Sequence, residues 1–104
     1  MEEFASQEDG VRIETRRLER ELKNLLALGE NKLAAETAYA VAFLLREIRD
    51  KRWKEFAIES CRIYKMLDRE DVFPENWKIG SVLIPNYMHD IVVMRRFGLT
   101  ESDL

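Results

Sequence analysis

Apolar residues recur along this chain at the three- and four-residue spacing of helices rather than in the alternation of strands. In the first third, Val11, Leu18, Leu22 and Leu25 fall within about 60° of one another when each residue turns by about 100°. That narrow seam predicts a helix over about 11–28. Gly29 suits the left-handed position just past a helix end. A second helix is predicted over about 31–49, with Leu33, Ala34, Ala38, Val41, Leu44, Leu45 and Ile48 on its main apolar face. Alanines at 34, 38 and 42 leave room for another helix to come close. A third helix is predicted over about 51–67, where Trp53, Phe56, Ala57, Ser60, Tyr64 and Leu67 are in phase.

The second and third patterns do not share a phase. On one continuous helix their apolar faces would lie about 100° apart, so a single rod would turn part of its core to water. A break near Asp50 restores both faces, and the Asp50 carboxylate can accept from the free amides of a first turn. The two segments, about 31–49 and 51–67, are therefore predicted to form an antiparallel helical hairpin. From Asp68 to Pro85, turn signals (Pro74, Asn76, Gly80) surround Trp77, Ile79 and Val82-Leu83-Ile84. This stretch is read as short helical turns or an extended crossover without a sheet, because a lone strand has no partner. Asn86 is placed as the cap of a final helix over Tyr87 to Phe97. Tyr87, Ile91 and Met94 face inward, Arg95 and Arg96 lie near the negative end, and Gly98 closes it. The fold class that results is all-α, a small bundle-like array of about four helices with the hairpin at its centre.

At 104 residues the chain suits one domain, and its 46% hydrophobic and 36% charged residues place it among folded rather than disordered chains. Residues 1–10 are expected to be a flexible acidic segment and residues 99–104 a frayed end. The run from Leu33 to Leu45 has Glu36 as its only charge but falls short of the about 20 apolar residues that span a bilayer, so it is read as a buried helix. Cys61 is alone and cannot form an internal disulfide, which favours a reducing compartment. The opening Glu2, Glu3, Glu8 and Asp9 stand where an export signal needs positive charge. The expected location is cytoplasmic.

The search for chemistry assigns no catalytic residue, metal ligand or cofactor. There is no Gly-rich phosphate loop, no His-Glu-x-x-His and no Cys-x-x-Cys. His89 is the only histidine, and the spacing places it at the surface or boundary of the last helix, near Arg96. Cys61 sits at the edge of the third helix's apolar face as a small hydrophobe. Glu36, Glu47, Glu55 and Glu59 never fall three apart, as the Glu-x-x-Glu pairs of helical metal hydrolases do. Glu55 and Glu59 lie among Lys51, Arg62 and Lys65, a pattern of solvated helix pairing. Glu36 shares its angle with Glu47, opposite the main apolar face and toward solvent.

Two partial resemblances are set aside. The hairpin from Ala34 to Leu67 resembles one tetratricopeptide-type unit in length and aromatic spacing, but Phe56 stands where that repeat wants a small residue, and a solenoid needs about three repeats. The run F-G-L-T-E-S-D-L resembles the turn of a helix-turn-helix with Thr100 as cap, yet no recognition helix follows it in this sequence.

Charge and uncovered apolar surface supply the functional expectation. Net charge is −3, distributed unevenly: residues 1–10 hold four acids and no base, whereas residues 11–28 hold five bases and three acids. Arg12, Arg16, Arg20 and Lys23 fall within about 80° of arc, a stripe able to track phosphates. The acidic total and the acidic first ten residues favour a solvated, neutralised face instead. Tyr39 and Phe43 lie on the second helix away from its main face, and Leu18, Leu22 and Leu25 form a seam of coiled-coil width. Such surface calls for a partner. The sequence is therefore read as a non-catalytic helical interaction protein, pairing with itself or with another helical protein as a small subunit. The alternative is a nucleic-acid accessory protein acting through the basic face.

Overall fold

A computed structural model of the chain describes residues 2–70, 77–79, 82–84 and 88–104. Four helices carry the fold: α1 (Glu2–Ala27), α2 (Asn31–Glu47), α3 (Trp53–Glu70) and α4 (His89–Phe97). Strands β1 (Trp77–Ile79) and β2 (Val82–Ile84) lie between α3 and α4, and a 3₁₀ turn follows at Glu101–Asp103. α2 is central. It packs on α1 and, most extensively, on α3, which in turn carries α4. The array is the all-α bundle expected, with the α2–α3 hairpin at its centre. Among the described residues no helix is long and apolar enough to cross a membrane.

The helix ends follow from local chemistry. Gly29 is left-handed at φ 73°, and the Glu30 amide donates back to the Leu25 carbonyl at 2.9 Å, closing α1. At the α2–α3 turn Arg49 takes the same conformation at φ 57°, and the Asp50 amide donates to the Leu45 carbonyl at 2.9 Å. Asp50 Oδ1 then accepts the Arg52 amide at 3.0 Å, so instead of capping the first turn of α3, which begins at Trp53, it closes the turn just before it. That amide, with the Arg12 guanidinium at 3.3 Å, holds the Asp50 carboxyl below the usual carboxylate range.

Several elements depart from the sequence expectation. α1 begins at Glu2 rather than near Val11. At about 1.5 Å per residue α1 spans about 39 Å and α2 about 26 Å. The first turns of α1 thus project past the hairpin, where Gln7 to Gly10 are exposed. The buried face of α2 is Ala34, Ala35, Ala38, Val41, Ala42 and Leu45, turned by about 60° from the predicted one. Small side chains cause the turn, because α3 approaches closely enough for Ser60 Oγ to donate to the Ala35 carbonyl at 2.9 Å. Leu33 is left 48% exposed and Leu44 half-buried.

In place of a crossover without a sheet, β1 and β2 pair antiparallel in the register Trp77 with Ile84, Lys78 with Leu83 and Ile79 with Val82. The proposed turn residues Pro74, Asn76 and Gly80, and the proposed cap Asn86 with Tyr87, lie outside the described residues. α4 buries His89, Val93 and Phe97 rather than Ile91, which is exposed, while Gly98 closes it at φ 65° as expected. The end of the chain, expected to fray, is held. Leu99 is buried, Thr100 caps the 3₁₀ turn through Asp103, Lys54 Nζ meets Asp103 Oδ1 at 3.0 Å, and Arg62 donates to the Leu104 carbonyl at 2.9 Å.

Candidate functional site

The turn of α2 toward its alanines puts larger side chains on the opposite side. There Leu18 of α1 and Tyr39, Ala40, Phe43 and Leu44 of α2 line a groove of about 650 Å³, together with Glu14, Glu36 and Arg96, and Tyr64 of α3 and Ile79 of β1 also border it. Phe43 is 41% exposed. Tyr39 is half-buried, edge-on to Phe97 with ring centres 5.3 Å apart. Of the predicted leucine seam, Leu22 is buried and Leu25 packs against the core, so both serve the fold, whereas Leu18 reaches the groove.

Arg96 organises one end of the groove, a role the sequence reading missed. Its Nε donates to the Tyr39 hydroxyl at 3.0 Å, and its guanidinium lies over the Phe43 ring, 5.9 Å from the centre. Arg46 braces this arrangement from α2. It donates to the Arg96 carbonyl at 3.0 Å and sits over Trp53 and Phe97 at 5.3 and 5.8 Å, and those two rings stack at 5.9 Å. Hydropathy periodicity does not reveal such stacks, because it scores arginine as solvent-facing wherever it falls. Glu36 is half-buried rather than solvent-facing. Loss of water raises its carboxyl above the usual range, and no ion pair to it is found among the described residues.

The basic face divides in two. Arg12 is tied to Glu8 at 3.0 Å and to Asp50 at 3.3 Å. Arg16, Arg20 and Lys23 are exposed and make no ion pair among the described residues. Arg17, outside the stripe, is bracketed by Glu14 and Glu21 on its own helix.

His89 corrects the surface reading. It is fully buried, its Nδ1 lies 2.7 Å from Asp68 Oδ1, its backbone amide donates to Asp68 Oδ2 at 3.2 Å, and its ring stacks on Tyr64. A carboxylate on the apolar side of α3 was the available signal, since Asp68 lies four residues beyond Tyr64. Cys61 is buried, and desolvation pushes its thiol up to about 11, so it is poor as a nucleophile at neutral pH. Among the described residues no group of three His, Cys, Asp or Glu side chains converges to hold a metal ion. No protein family, curated protein or solved structure matches this chain.

Proposed function

We propose that this chain is a non-catalytic helical interaction protein that associates through the outward face of α2, with itself or with another helical protein. The groove carries this reading. A scattered exposed leucine is ordinary on any surface, but here Leu18, Ala40, Phe43 and Leu44 adjoin along one channel, and Arg96 fixes the exposed Phe43 ring from above. Contiguous apolar surface with a polar rim is what helix-in-groove contacts use. Aromatic rings and arginine are also the side chains that dominate binding energy at interfaces.

The experiment is solution mass across the micromolar range by light scattering, for the wild type and for Phe43→Glu. The wild type is expected as a dimer or larger assembly. The variant is expected to be monomeric with undiminished helix content, since a carboxylate at a partly exposed position is solvated in the monomer but not in a contact. A wild type that stays monomeric would remove the self-association half of the reading. An assembly unchanged by Phe43→Glu would remove this face. The nucleic-acid alternative draws on exposed Arg16, Arg20 and Lys23 and ranks second, because the chain is acidic overall and Arg12 is already neutralised.

A further inference from the structure

Resting on the proposed association through α2, the charges in the groove single out its occupant. Leu33, Glu36, Ala40, Phe43 and Glu47 follow one another along the outward face of α2 at steps of three and four, the spacing of a helix–helix seam. Ala40 stands in the middle, where a small side chain permits close approach. On one side of it, a turn toward the start of α2, is Glu36, half-buried and without an ion pair among the described residues. On the other side is Arg96, held over Phe43 by its bond to the Tyr39 hydroxyl. Arg96 likewise makes no ion pair among the described residues, and a guanidinium has five N–H donors of which Tyr39 takes one.

Such a face is its own complement. A twofold axis that crosses α2 at right angles beside Ala40 exchanges position 36 with position 44, next to Phe43. It therefore brings Glu36 of a second copy beneath Arg96, and Arg96 of that copy over Glu36. A parallel arrangement would set Glu36 against Glu36, which like charges oppose. An isologous contact needs a patch that matches itself in this way.

We propose that the occupant of the groove is a second copy of this chain, packed with α2 antiparallel across a twofold axis at Ala40, Glu36 of each copy pairing with Arg96 of the other.

Charge reversal tests this. In Glu36→Arg two arginines face each other across the contact, and in Arg96→Glu two glutamates do, so each variant should weaken the dimer by about tenfold or more. The double variant Glu36→Arg with Arg96→Glu restores opposite charges and should recover dimer. An equimolar mixture of the two single variants should form a mixed dimer by the same logic. Recovery in the mixture separates the contact from any damage to the fold, because Arg96→Glu also loses its Tyr39 and Phe43 contacts and a damaged fold would not be rescued by mixing. Light scattering on the purified full chain, with one variant labelled for the mixture, reads all four samples. A monomeric wild type overturns the inference, as does any other helical protein proving to be the groove's occupant. A dimer broken by Phe43→Glu but indifferent to both reversals also overturns it, while leaving the broader reading of the α2 face intact. A dimer indifferent to all three substitutions overturns both.

Discussion

Asp68 and His89 form the one carboxyl–imidazole contact among the described residues, and neither side chain is appreciably exposed. Asp68 does two jobs. One oxygen meets His89 Nδ1, and the other accepts the His89 amide, one of the first-turn donors of α4 that lacks a partner within its own helix. A residue of α3 thereby fixes both a side chain and the start of another helix. Removing the carboxylate should leave the imidazole and the amide desolvated together, so Asp68→Ala is expected to cost about 3 kcal/mol or more. Asp68→Asn, which keeps an acceptor, should cost less. Urea unfolding followed by far-ultraviolet circular dichroism checks this, and a loss below about 1 kcal/mol for Asp68→Ala would mean that the pair contributes little. The pair also shows where sequence reading stops at this scale. The spacing of Tyr87, Ile91 and Met94 points His89 outward, whereas α4 turns His89, Val93 and Phe97 inward and Asp68 supplies the polar partner that makes this burial tolerable. Thr100 is readable because a cap acts within its own few residues, and Asp50 is legible as the break between α2 and α3 for the same local reason, although its carboxylate serves the turn and not the helix.

At the scale of elements, α1, α2 and α4 end alike, each with a left-handed residue and an amide returning to a carbonyl five residues back. Two of the three closures use glycine. The third uses Arg49 at φ 57°, which a residue with a Cβ adopts at a cost of about 1–2 kcal/mol. Arg49→Gly is expected to stabilise the chain by about 0.5 kcal/mol, the strain relieved exceeding the extra freedom that glycine brings to the unfolded chain. Thermal unfolding should show a small rise in midpoint, and a fall would indicate that the Arg49 side chain does more than its exposure suggests. The same contrast explains what was readable. Gly29 and Gly98 marked two helix ends, and the phase shift at Asp50 marked the hairpin. No hydropathy rule distinguishes the leucine side of α2 from its alanine side, because close packing against α3 decided between them. The ribbon is not legible because strands of three residues become evident only when paired, and although Phe4 continues the seven-residue spacing of Val11, Leu18 and Leu25, the acids and Gly10 around it outweigh that signal for extending α1.

For the molecule as a whole, charge decides between the leading reading and its rival. Three cations, Arg16, Arg20 and Lys23, remain exposed on α1 without ion pairs among the described residues, while net charge is −3 and the same helix exposes Glu8 and Asp9 a few turns away. Three phosphate contacts would give a salt slope of about −3, at roughly −0.9 for each contact. So small a footprint, within an acidic field, is expected to bind a short duplex no more tightly than the nonspecific range of about 10⁻⁴ to 10⁻⁶ M. Fluorescence anisotropy with a labelled duplex at several salt concentrations, for the wild type and for Arg16→Glu with Arg20→Glu, measures both quantities. The double variant lies away from the α2 groove, so it should abolish any weak binding and leave the oligomeric mass unchanged. Submicromolar affinity at physiological salt, lost in that variant, would instead make α1 the working surface and reduce α2 to a structural element.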